Sequence, residues 1–147
     1  DFAGNRLLAW GFLALQTIDL ALDITIRFRL RRRGTIVADR CALDSLVDIA
    51  VDTGLDDVVC DRLAPRLIRM LPQPCLAVVV ERPAAQIAAQ RPDAMADRHF
   101  ARRRALYVRL AQRLRLPVLR NDGSLDAALG ELSRLVAAVP IEAGQRR

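Results

Sequence analysis

The sequence predicts an α/β protein whose strands run parallel. Three short apolar runs carry that expectation: TIVA at 35–38, CLAVVV at 75–80 and PVLR at 117–120, separated by stretches of helical periodicity. Each run is followed by a polar residue, Asp39, Glu81 or Asn121, at or just past the carboxyl end where an open parallel sheet binds its ligands. Composition agrees, since 147 residues that are 52% hydrophobic but only 4% aromatic describe one domain with an aliphatic core.

In chain order, residues 3–30 repeat Leu7, Leu8, Phe12, Leu15, Ile18, Leu22 and Ile26 at helical spacing, predicting a long first helix that Gly34 ends. TIVA reads as a buried strand covered on both faces. Leu43, Leu46, Val47 and Ala50 predict a second helix from Ala42 to about Val51, broken by DTGLDD. A third covers Val58 to Leu71, and LPQP stops it before the second buried strand, which ends at Glu81. Pro83 opens a helix reaching Arg91, where RPD breaks it. A helix from about Asp97 to Arg115 follows, then the strand PVLR, short because Pro117 fits only at its start. Ser124 caps a last helix carrying Leu125, Leu129, Leu132, Leu135 and Val136, and residues 141–147 form a frayed tail.

Several function classes are excluded or disfavoured. All 23 basic residues are arginine, so no lysine base, Schiff-base lysine or lysine-bearing phosphate loop is among these residues. His99 is the one histidine, which excludes a multi-histidine metal site, and its simplest reading is a surface residue. Cys41, Cys60 and Cys75 are odd in number and widely spaced, arguing against a disulfide framework or a zinc site and for a reducing, cytoplasmic setting. The run LLAWGFLALQTI, 7–18, falls short of a membrane span, and no leader-like segment precedes it. A net charge of +6 favours an anionic partner, a phosphorylated metabolite or a nucleic acid. With four Phe, one Tyr and one Trp there is no stacking platform, which leaves nucleic acid the minority reading.

Two stretches can carry chemistry. Asp39 and Arg40 pair a carboxylate suited to a Mg²⁺ hydration shell with a guanidinium suited to a phosphate; the plainer reading makes Asp39 a helix cap and Arg40 a solvated side chain. Asp44 and Asp48, four apart, put two carboxylates on one helix face, for a cation, a sugar hydroxyl or simply water. In DRHFARRRALYVRLAQRLR, Phe100, Arg103, Tyr107, Leu110 and Leu114 share one stripe, and Arg98, Arg102, Arg109 and Arg113 another. Arg103 interrupts the apolar stripe, either snorkelling at the helix start or pointing at an anionic ligand.

Taken together, RRRGTIVADRC, LPQPCLAVVVERP, AAQR, RALYVRLA and NDGS resemble, in order and spacing, the motifs of the thymidylate kinase-like branch of the P-loop nucleoside monophosphate kinases. The resemblance spans nearly the whole chain, as the carboxyl-terminal two thirds of that family's fold. It implies one partial kinase-like domain over 1–147: a three-layer parallel sheet of P-loop NTPase type, incomplete because the first strand, phosphate loop and second strand are missing. It implies a nucleotide kinase fragment, dependent on Mg²⁺ and ATP when intact and inactive as this chain alone, with a nucleotide substrate and a homodimeric assembly. Asp39 would organise the metal and phosphates, and Arg40 would hold the acceptor phosphate, with Asp44 beside it on the acceptor side. Arg91 would lie near the adenine or the phosphoryl donor, Arg102 would also bind the donor, and Arg98, Arg102 and Arg103, in a short lid-like segment at 92–104, would neutralise charge on the transferred group. Arg104 matches an arginine of the tyrosine-containing helix and reads as structural. Departures at Cys41, Cys75, Asp44 and Thr17 imply an altered acceptor. The competing expectations are a non-catalytic pseudokinase-like binding or scaffold module and, more weakly, a basic RNA-binding helical protein.

Overall fold

A computed structural model describes residues 6–30, 37–71 and 75–139, and the chain divides into two compact units, Asp1–Pro72 and Gln73–Arg147. The first unit is helical. It contains α1 (Arg6–Leu30), α2 (Ala42–Thr53) and α3 (Asp57–Met70), with α2 packed against both neighbours. The start of α2 is held by a capping box: Cys41, in extended backbone, is the cap, and the Asp44 carboxylate accepts its backbone N–H at 2.7 Å. Its end is set by Gly54 at φ 66°, a left-handed turn returning the Leu55 N–H to the Ala50 carbonyl at 2.8 Å. Asp56 caps α3 by accepting the Val58 N–H at 2.7 Å. Leu46, Val47, Ala50, Cys60 and Ala64 are fully buried on the facing surfaces of α2 and α3.

The second unit holds β1 (Val79–Glu81), α4 (Ala84–Gln90), α5 (Pro92–Met95), α6 (Phe100–Leu114), β2 (Val118–Arg120) and α7 (Leu125–Ala137). The strands pair in parallel with Val79 opposite Val118, Val80 opposite Leu119 and Glu81 opposite Arg120. Helical segments between two strands make parallel pairing the accessible geometry, as the alternation of the sequence predicts. α6 packs on β1 and α7 on β2, burying Leu106, Leu110, Ala111, Leu119 and Ala128. Ser124 caps α7 by accepting the Ala127 N–H at 3.2 Å, and Arg115, at φ 55°, turns the chain out of α6.

The sheet corrects the sequence expectation. Among the described residues there are two parallel strands of three residues each within a mostly helical chain, and this is not a three-layer parallel sheet of P-loop type, complete or incomplete. Of TIVA, residues 35 and 36 lie outside the described residues, while Val37 and Ala38 are irregular and Val37 is 90% exposed. β-branched runs become strands only where a neighbour supplies the ladder; without one, exposed irregular backbone hydrated by water is the lower-energy state. Cover on both faces fails too, with Val80 and Val118 exposed, and CLAVVV contributes only its last two residues to β1. The predicted helices agree within a few residues with those observed, and the short α5 was not among them, since RPD was expected to break the chain there. The frayed tail at 141–147 lies outside the described residues.

Because Leu46 and Leu110 are the largest fully buried side chains of the two units, Leu46→Ala and Leu110→Ala should each cost about 2–5 kcal/mol in urea unfolding. Val58→Ala, at a half-exposed site, should stay within about 0.5 kcal/mol of the parent.

Candidate functional site

The residues expected to form one site fall into both units. In the first, Asp39 and Arg40 are exposed in the irregular stretch before α2. The Arg40 Nη1 lies 3.9 Å from the Asp48 Oδ2, a loose, solvent-screened pair that contributes little energy. Asp39 is not the cap of α2. That place belongs to Cys41, so the carboxylate closing the helix start is Asp44, the residue assigned by resemblance to the acceptor side. Burial pushes the Cys41 thiol up from its ordinary value, with the neighbouring Asp44 charge adding to the shift, so the cap is a poor nucleophile. Among the described residues there is no group of three or more His, Cys, Asp or Glu side chains that could hold a metal ion.

In the second unit, the lid-like segment consists of α5, a turn and the first residues of α6. Arg91 ends α4 and forks onto Asp93, with Nη2 to Oδ2 at 2.8 Å; both side chains are solvent-exposed. That pairing raises the guanidinium further and lowers the carboxyl. Arg98 donates from Nε to His99 Nε2 at 2.9 Å and is exposed. Arg103 donates from Nε to Asp97 Oδ2 at 3.0 Å, and Asp97 Oδ1 also accepts the His99 backbone N–H at 2.9 Å. Of the two readings for Arg103, the structure gives an arginine folded back over the start of its own helix. Arg102, Arg109 and Arg113 lie along the exposed face of α6 and Arg98 is exposed in the turn before it, whereas Leu110 is buried and Phe100, Arg103, Tyr107 and Leu114 are half-buried. The two stripes read from the sequence are therefore present.

A further polar group gathers at the carboxyl ends of β1 and β2. Arg104 on α6 donates to Glu81 Oε1 at 2.6 Å, joining α6 to the last residue of β1. Arg120 pairs with Asp122, Nη2 to Oδ2 at 3.0 Å, and the Asn121 N–H extends the ladder to the Glu81 carbonyl at 2.8 Å. Arg82, just after β1, donates from Nε to Gln86 Oε1 at 3.1 Å and from Nη1 to Gln90 Oε1. Gln86 in turn donates to the Asp122 carbonyl at 3.1 Å, fixing α4 against the β2 end. Within this group three guanidiniums, Arg82, Arg104 and Arg120, face two carboxylates, Glu81 and Asp122, so one positive charge is in excess. It resides on Arg82, oriented by two neutral amides with Nη2 left to donate. A fixed, half-buried guanidinium of this kind suits a phosphate or carboxylate oxygen.

Sequence reasoning reached Glu81, Asn121 and Arg104 but missed Arg82, Gln86 and Gln90. The signal was legible, since the three residues are spaced four apart in ERPAAQIAAQ and so fall on one helical face. No family model, curated protein or solved structure matches the chain.

Asp97 titrates below the ordinary aspartate value of 3.8, first because the His99 backbone N–H bonds its ionised form and next because Arg103 does. A lowered folded-state value gives a contribution to stability that is present above the ordinary value and is lost as pH falls through the folded one. Thermal unfolding of the parent chain should therefore lose stability relative to Asp97→Asn as pH drops below about 4, and the two curves should run parallel from pH 5 to 7.

Proposed function

We propose that this chain is part of a cytoplasmic nucleotide kinase, and that it handles phosphate esters with arginines placed past its strand ends. Arg82, locked by Gln86 and Gln90 without a carboxylate of its own, is the observation that carries the reading. The order of the motifs, the parallel pairing of β1 with β2 and the exposed Arg98 and Arg102 at the start of α6 support it. Mg²⁺ and ATP are the reaction partners this reading implies. No lysine-bearing phosphate loop is among the 147 residues, so phosphoryl transfer would require one on another segment.

A second reading has its own support. Arg91 and Arg103 are taken up by Asp93 and Asp97 and Asp44 by a helix cap, which leaves a binding surface without reacting groups, as a non-catalytic anion-binding module requires. The two readings differ in one experiment. Joined to a segment carrying GxxxxGK[ST], a kinase part should transfer the terminal phosphoryl group of Mg-ATP to a nucleotide, whereas a binding module should not.

For the phosphate contact itself, titration calorimetry with a nucleoside monophosphate should give an affinity that Arg82→Gln lowers roughly tenfold or more, the loss expected for one charge-assisted hydrogen bond. Equal affinity in the two proteins would remove Arg82 from the site. Affinity for single-stranded RNA that falls steeply with salt and persists in Arg82→Gln would point instead to the exposed arginines of α6.

A further inference from the structure

The turn NDGS, 121–124, joins β2 to α7 and carries the one Asp-Gly sequence of the chain. Asp122 and Gly123 form a bend there, and both are exposed, as is Ser124 after them. An aspartate carboxyl meets the next backbone nitrogen most easily when glycine follows, because glycine sets no Cβ against the approach and restricts the backbone least. The fold does not need that freedom here. Among the described glycines only Gly54 has a positive φ, and nothing lies within 4 Å of the place a Cβ on Gly123 would occupy. Neither a backbone angle nor a close neighbour therefore requires glycine at this position.

The contacts that hold the turn leave the Gly123 nitrogen unengaged. Asp122 is tied twice: its Oδ2 accepts from Arg120, Nε at 3.1 Å and Nη2 at 3.0 Å, and its backbone carbonyl accepts from Gln86 Nε2 at 3.1 Å. Among the described residues no hydrogen bond involves the Gly123 N–H. The Arg120 pair restrains the carboxylate only weakly, since the Arg120 side chain is 72% exposed and water screens the contact. Exposed turns open locally at small free-energy cost, so the carboxyl can leave Arg120 and swing over its own peptide bond.

We propose that Asp122 and Gly123 form a site of spontaneous aspartate isomerisation, and that the reaction releases the contact fixing α4 to the end of β2. The Gly123 nitrogen attacks the Asp122 carboxyl in its protonated form. The N–Cγ bond forms, the nitrogen gives up its proton, and the carboxyl hydroxyl leaves with that proton as water, closing a cyclic imide. Water then opens the ring. Attack at Cγ restores aspartate, whereas attack at the Asp122 backbone carbonyl gives the β-linked isomer, whose main chain runs through Cγ. One water is lost and one regained, with no oxidant, reductant or enzyme taking part. In the isomer the carbonyl that Gln86 holds has become a free carboxylate, and the chain between β2 and α7 is one methylene longer, which pulls Gln86 and its acceptor out of register. Arg82, held by Gln86, then loses its fixed orientation, a consequence that rests on the anion-binding reading of Arg82 as the covalent step does not.

Ageing the full 147-residue chain at neutral pH and body temperature tests the proposal. Isoaspartate is read by labelling with protein isoaspartate methyltransferase and located by electron-transfer fragmentation of the tryptic peptide that begins at Asn121. The expected result is label that accumulates at Asp122, with Gly123→Ala lowering its rate roughly tenfold and Asp122→Asn raising it, because ammonia is lost from the amide more readily than water from an ionised carboxyl. Gly123→Ala should fold as the parent does, since both space and backbone angle allow it. No label at Asp122, label that forms only in urea, or a rate that Gly123→Ala leaves unchanged would each overturn the site. Faster hydrogen exchange across Ala84–Gln90 in the aged parent, absent from Gly123→Ala aged alongside, is the expected sign of the released contact; unchanged exchange in isomerised chain would overturn that part. Neither readout uses a nucleotide, so both stand or fall apart from the Arg82 reading.

Discussion

The three-residue parallel ladder between β1 and β2 is the constraint on which the candidate site depends. A pair of strands this short is not stable alone. It persists because α6 and α7 cover parts of it with Leu106, Leu110 and Ala128, and because Leu119 is buried between them and the strands. Its register puts Glu81 opposite Arg120, so both strands end at the same level. Every polar contact of the group follows from that level: Glu81 meets Arg104 descending from α6, Arg120 meets Asp122 in the turn after β2, and Gln86 reaches the Asp122 carbonyl from α4. If the register slipped by one residue, every side chain of a strand would change faces and Gln86 would lose its contact with the Asp122 carbonyl.

The helices were legible because their signals are local. Asp56 and Ser124 cap, Gly54 turns, and buried residues recur at 42, 43, 46, 47 and 50 along α2 as the spacing predicts. Strands carry no such self-contained signal. CLAVVV and TIVA look alike in sequence, yet only the first has a partner strand among the described residues, and pairing decides the outcome. The candidate site was legible in the same partial way. The stripe of arginines on α6 follows from helical periodicity alone, whereas the partners that fix Arg91, Arg103 and Asp44 come from turns whose geometry one-dimensional spacing does not give. Asp44 shows the difference most clearly: its three-residue spacing from Cys41 is that of a capping box, but a cysteine in the cap position hid the pattern.

An all-arginine chain gives this surface a particular chemistry. Arginine holds its charge throughout the accessible pH range and presents several donors in a fixed plane, whereas lysine is a mobile point charge that burial can neutralise. Pairing is therefore the main way for the protein to modulate its cations. Arg91, Arg103, Arg104 and Arg120 are each matched by a nearby carboxylate, and Arg82 is held by amides that fix its orientation without cancelling its charge. An anion arriving at Arg82 displaces no internal partner and meets a group already oriented, so little of its binding energy goes into rearrangement. At Arg103 the same anion would have to compete with the Asp97 carboxylate, which also closes the start of α6. The two arginines thus differ in kind: one is poised to receive a ligand, while the other would yield its partner only if the helix start rearranged as the ligand bound.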